Sequence, residues 1–139
     1  NNICFEITET SAIADPANAA RFITELKGLG CQFALDDFGS GLSSFGYLKQ
    51  LPVDYLKIDG IFIQELANNR IDQAMVASIN NIGHIMGLKT IAEFVEDAAT
   101  LNILRQIGVD YVQGYYLSRP EPLESLMSVR VMPRWNKVI

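Results

Sequence analysis

Short runs dominated by apolar or β-branched residues recur at 3–8, 32–36, 55–58, 89–92 and 111–112, each of a length that suits a strand. Between them the apolar residues return at helical spacing: over 18–29, after the start signal Asp15-Pro16, over 71–86, over 98–107, and over 122–127. Gly30, Gly87 and Gly108 stand where three of these helices should stop, the place where a left-handed residue is wanted. Alternation of strand, helix and glycine stop predicts parallel strands joined by crossover helices. Periodicity leaves two architectures open, a doubly wound sheet or part of a (β/α)8 barrel.

The polar positions cluster where the strands end. Glu6 and Glu9 close the first, Asp36 and Asp37 the second, Lys57 and Asp59 the third, Glu93 and Glu96 the fourth, and Gln113 the fifth. In barrels and open α/β sheets the C-terminal strand ends face the site and the following loops carry the chemistry. Any one of these residues could be a solvated strand end. Five successive ends delivering ionisable or polar groups to one rim point to a site.

Composition narrows what that site can hold. The 139 residues can bury one core, but a complete eight-fold barrel uses about 250. Apolar residues make up 49% and charged residues 19%, the balance of a globular chain. A net charge of -5 argues against binding a nucleic-acid polymer through a basic surface, while a small anion held through metal stays possible. The two cysteines, Cys4 and Cys31, open neighbouring strands, and the period-2 alternation turns them to opposite faces; both are expected as free thiols in a reducing cytoplasm. There is no run of about 20 apolar residues, so any membrane anchor of the parent protein is expected elsewhere.

Gathered carboxylates repel one another unless a cation intervenes, and an oxygen-rich set suits Mg²⁺ or Mn²⁺ rather than zinc or copper. Lys57 among them could orient water or steady a phosphate oxygen, a combination that suits phosphodiester hydrolysis. The loop at 37–44, Asp-Phe-Gly-Ser-Gly-Leu-Ser-Ser, could close over a ligand, and Ser43 or Ser44 could equally cap a helix running towards Leu48. His84, the only histidine, is expected as a surface or half-buried helix residue and not a ligand.

Five motifs then carry a resemblance. F-E-I-T-E-T at 5–10, L-D-D-F-G-S-G-L-S-S at 35–44, Y-L-K-Q-L-P-V-D-Y-L-K-I-D-G at 47–60, I-A-E-F-V-E at 91–96 and V-Q-G-Y-Y-L-S-R-P at 112–120 resemble, in order and spacing, the EAL-domain cyclic di-GMP phosphodiesterases. The resemblance implies the C-terminal half of a TIM-like (β/α)8 barrel of the EAL type over residues 1–128, with about five parallel strands and a tail at 129–139. It implies hydrolysis of cyclic di-GMP to linear pGpG with Mg²⁺ or Mn²⁺. Motif by motif, Glu6 and Asp36 are similar to metal ligands, Asp37 to a ligand of a second metal, and Lys57 to the lysine that contacts the catalytic water. Glu93 is similar to the carboxylate that organises metal and water, and Glu9 to the glutamate that anchors the loop after the second strand. Glu96, Gln113, Phe38, Gly39 and Ser40 resemble residues near the substrate. Two positions depart from the pattern: Ser40 stands where Thr is commoner and Phe94 where Gly is commoner.

The E-A-L strand that names the family, and the strand with its metal-binding Asn, have no counterpart in these residues. The isolated chain is therefore expected to be inactive, and to self-associate or pair with an N-terminal half through open sheet edges. An upstream GGDEF or sensor domain is expected in the parent protein. The alternative is an eroded domain that binds cyclic di-GMP as a receptor without cleaving it.

Overall fold

The computed structural model describes residues 3–39 and 45–122. Five parallel strands form one sheet in the order of the chain: β1 (Cys4–Thr8), β2 (Gln32–Phe38), β3 (Tyr55–Ile58), β4 (Lys89–Ala92) and β5 (Tyr111–Val112). A doubly wound sheet reverses its strand order part-way, and this one does not, so the ambiguity left by periodicity is resolved towards a barrel wall.

The connecting helices are α1 (Glu9–Ala14), α2 (Pro16–Gly28), α3 (Phe45–Leu48), α4 (Arg70–Ile85) and α5 (Ala98–Ile107), with a 3-10 turn at Gly60–Phe62. Their starts are set by short polar caps. The Asp15 carboxylate accepts from the Asn18 N–H at 3.0 Å, with Pro16 opening α2. Asn69 caps α4 through the N–H groups of Ile71 and Asp72, and Asp97 caps α5 through the N–H and hydroxyl of Thr100. Gly108 ends α5 in left-handed backbone, φ 86°. The expected helix at 122–127, the serine cap of α3 and the tail at 129–139 fall outside the described residues.

Alternation divides the sheet. One face carries Phe33, Leu35, Leu56, Ile58 and Ala92, all buried against Ile23 of α2, Val76 and Ile79 of α4, and Leu101 and Leu104 of α5. The other carries Cys4, Glu6, Gln32, Ala34, Tyr55, Ile91 and Tyr111, which line an open cleft of about 790 Å³. Both cysteines are free. Among the described residues no helix is long and apolar enough to cross a membrane.

Two elements differ from the sequence reading. Glu9 does not simply trail the first strand: the Thr8 hydroxyl accepts from the Ser11 N–H, and Glu9 opens a six-residue helix. The second strand runs beyond Asp36 to Phe38, with a bulge that shapes the site.

Candidate active site

The bulge sits at the C-terminal end of β2. Leu35 pairs with Leu56 and Phe38 with Ile58, so Asp36 and Asp37 together oppose the single residue Lys57. Asp37 supplies the extra residue by adopting left-handed backbone, φ 56°, which a short acidic side chain tolerates. A regular strand would send two adjacent carboxylates to opposite faces. Here Asp36 and Asp37 reach one centre: with Glu93, at the end of β4, each offers a carboxylate oxygen within 4.8 Å of the others. Phe38 resumes the core face, 1% exposed.

Lys57, on β3, is the middle of the arrangement. Its Nζ lies 2.8 Å from Glu6 Oε2 of β1, 2.9 Å from Asp36 Oδ1 of β2 and 2.8 Å from Glu93 Oε1, with the Lys57 side chain only 3% exposed. Burial alone would lower the lysine pKa, but the hydrogen bonds that the amine donates to Glu6, Glu93 and Asp36 outweigh it and hold it charged well above its ordinary range. Glu93 is pushed up, first by burial and then by the charges of Asp36 and Glu6, against the pull of Lys57. Asp37 is also raised, by desolvation and by the charges of Asp36 and Asp59.

Lys57 thus meets Glu6, Asp36 and Glu93 with one charge against three, and Asp37 stands beside them under the charges of Asp36 and Asp59, the latter also engaged as the cap of the 3-10 turn through the Ile61 N–H. That surplus of negative charge, carried wholly by oxygen donors, fits a hard divalent cation held by Asp36, Asp37 and Glu93. Glu6 reaches the same centre through Lys57.

Glu9 lies apart from this cluster and is buried, 3% exposed. Its Oε2 accepts from the Gly39 N–H at 3.1 Å, and its Oε1 accepts from the Tyr47 hydroxyl. The carboxylate therefore ties Gly39, directly after β2, and Tyr47 of α3 to the start of α1. Tyr47 was not foreseen as a site residue, since nothing in its local sequence announces a partner 38 positions earlier.

The remaining expected residues divide. Gln113 is exposed, borders the cleft alongside Glu6, and its backbone accepts from the Val95 N–H at 3.0 Å. Glu96 is exposed on the loop between β4 and α5. Phe38 is sealed in the core, so its ring cannot face a ligand in the cleft, because the bulge returns the strand to its original alternation. Gly39 meets Glu9, and Ser40 is outside the described residues. His84, 39% exposed, is at the far end of the sheet, its Nε2 2.6 Å from Asp110 Oδ2.

A profile of the EAL domain matches residues 1–120. The chain belongs to the EAL domain family. Over 123 residues, 88% of this chain and 14% of the relative, it is 51% identical to the cyclic di-GMP phosphodiesterase PdeB of Shewanella oneidensis. It is 39% identical over 128 residues, 92% of this chain and 19% of the relative, to MucR of Pseudomonas aeruginosa, a bifunctional diguanylate cyclase and cyclic di-GMP phosphodiesterase. The solved MucR phosphodiesterase in complex with cyclic di-GMP superposes with a TM-score of 0.83 at 41% identity, covering 88% of this chain and 50% of that one. The chain thus spans about half of that solved EAL chain and less than a fifth of the two curated relatives, and its parallel sheet is the partial fold of a TIM-like EAL barrel.

Proposed function

We propose that this EAL segment belongs to a phosphodiesterase that opens cyclic di-GMP to linear pGpG, with Mg²⁺ or Mn²⁺ at the acidic rim. The observation that carries this reading is Lys57, buried and bonded to carboxylates from three other strands, with Asp37 brought alongside by the bulge. Such a cluster is costly to assemble for stability alone, because like charges within a few ångströms raise one another's pKa.

Asp36, Asp37 and Glu93 would hold the cation, with Glu6 contributing from β1. When bound, it would supply Lewis-acid polarisation of the phosphoryl oxygen and lower the pKa of water. The protein groups do the rest. Lys57, kept charged, steadies the attacking water or the phosphate oxygen. Glu93, with its raised pKa, accepts a hydrogen bond from that water. Glu9 would keep the loop after β2 in place through Gly39, and Gln113, which borders the cleft, and Glu96 would contact the dinucleotide. Water adds its oxygen to phosphorus and gives up a proton towards the carboxylates around Lys57, the P–O3′ bond breaks, the leaving O3′ takes up a proton to become a hydroxyl, and the ring opens to a 5′-phosphate.

The test is hydrolysis by the full-length protein, read as pGpG by chromatography, in Mn²⁺ or Mg²⁺ and again in chelator. Turnover that disappears with chelator is the expected result. Tight cyclic di-GMP binding with no product in either metal would move the assignment to a receptor.

A further inference from the structure

Phe94 follows Glu93 and, among the described residues, shares left-handed backbone with one other non-glycine residue, Asp37; its φ is 54°. Asp37 has the short polar side chain that tolerates this region; a bulky ring does not, and it persists there only when its surroundings over-determine it. The residue is 53% exposed, and the covered face of its ring has a specific seat. The Phe94 ring lies directly on Gly60, where a Cβ would stand 2.9 Å from its Cγ and Cε2 and nearer still to Cδ2. Gly60 comes three residues after Lys57, so the ring ties the end of β3 to the end of β4. Behind it, Val95 is fully buried, donates its N–H to Gln113 O and accepts from the Tyr116 N–H, both at 3.0 Å. Gly114 presses on the Val95 backbone so closely that a Cβ there would be 2.7 Å from the Val95 carbonyl carbon. In front, Glu93 meets Lys57 at 2.8 Å.

We propose that Phe94 is a positioning residue, its left-handed turn and its seat on Gly60 together fixing the Glu93 carboxylate against Lys57 in the orientation that receives a divalent cation. This deepens the phosphodiesterase reading and rests on it for the role of Glu93. A hydroxyl added to the ring leaves both contacts intact, whereas glycine keeps the backbone angle and removes only the ring. Alanine loses both.

The experiment titrates Mn²⁺ alone, by calorimetry, into the full-length protein and its F94Y, F94G, F94A and G60A variants, then measures kcat and KM for cyclic di-GMP. G60A displaces the ring without touching residue 94, and thermal unfolding confirms that each variant is folded. F94Y should match the wild type. F94G, F94A and G60A should bind Mn²⁺ about 10-fold to 100-fold more weakly, the range expected when a supporting contact of a ligand is lost. Their kcat should fall in step while KM stays within about twofold. In an E93Q background, F94G should cost no further affinity, because both changes act through one carboxylate. Wild-type Mn²⁺ affinity in F94G and G60A overturns the proposal, as does a raised KM at unchanged kcat, which would make the ring a substrate contact. A wild type that binds Mn²⁺ but yields no pGpG removes the phosphodiesterase reading while the titration still decides the role of Phe94. A wild type that binds no Mn²⁺ removes both.

Discussion

Asp37 shares with Asp36 the stretch of β2 that opposes Lys57 alone, and its N–H donates to the Asp36 Oδ1 at 3.0 Å. One inserted residue in left-handed backbone is what brings two sequential carboxylates to a common centre with Glu93.

D37N should separate activity from stability. Asn adopts left-handed backbone readily, so the bulge survives, while the charge that Asp36 and Asp59 oppose is removed. Hydrolysis by the full-length protein should fall by about 100-fold or more, the scale at which preorganised charge acts. The thermal midpoint should stay level or rise. A lower midpoint would mean that the Asp37 carboxylate stabilises the fold.

Glu9 predicts a second, structural loss. Y47F leaves the buried Glu9 carboxylate with one donor fewer, and a hydrogen bond to a charged group contributes about 1.5–3 kcal/mol. Urea unfolding of Y47F should show a deficit of that order. E9A should cost at least as much, because it leaves both the Gly39 N–H and the Tyr47 hydroxyl without their acceptor. An E9A variant as stable as the wild type would show that the segment after β2 is held by other contacts.

Much of this was legible in the chain. Phe33 and Leu35 alternate with Gln32 and Asp36, and that period-2 signal marks β2 and its two faces in the sequence itself. The strand-end residues Glu6, Asp36, Lys57 and Glu93 do meet, since parallel strands in sequential order put their C-terminal ends on one rim. What escaped was set by long-range contacts. Glu9 is expected as a loop anchor only through the family resemblance, because the partners of its buried carboxylate lie 30 and 38 residues away. Helix α1 is only six residues long and joins β1 without a turn residue, so it carries too little period to register. The left-handed angles of Asp37 and Phe94 have no local glycine to announce them.

Asp110 sets an acid limb on stability at the other end of the sheet. It accepts from Lys89 Nζ at 2.8 Å, from the Thr90 N–H at 3.0 Å and from the Thr90 hydroxyl at 3.2 Å, with His84 Nε2 at 2.6 Å. Burial would raise its pKa, but Lys89, the Thr90 N–H and His84 outweigh that and bring it to about 2. A carboxyl depressed in the folded state contributes stability that is complete above its unfolded pKa of about 3.9 and is lost as pH falls towards 2. Wild type should therefore exceed D110N by about 2 kcal/mol near pH 6, with the gap closing between pH 4 and pH 2. Equal urea midpoints for the two proteins across that window would rule the contribution out.

Two glycines should respond in opposite directions to the same methyl group. Gly28 is the last residue of α2 and has nothing within 4 Å of a built Cβ, so G28A adds helix propensity at no steric cost. A gain of about 0.5–1 kcal/mol follows, partly through the reduced freedom of the unfolded chain. At Gly114 a Cβ would collide with the N, C and O atoms of Val95, which belong to backbone and cannot rotate away. Relief requires moving either the Val95 to Gln113 hydrogen bond or the fully buried Val95 side chain. G114A should lose about 1–3 kcal/mol, as overpacked cores do. Because Val95 is two residues from Glu93, the same substitution should weaken Mn²⁺ binding by the full-length protein, whereas G28A, remote from the rim, should leave it unchanged. Loss of stability in G114A at undiminished Mn²⁺ affinity would show that the Val95 contact supports the fold without reaching Glu93.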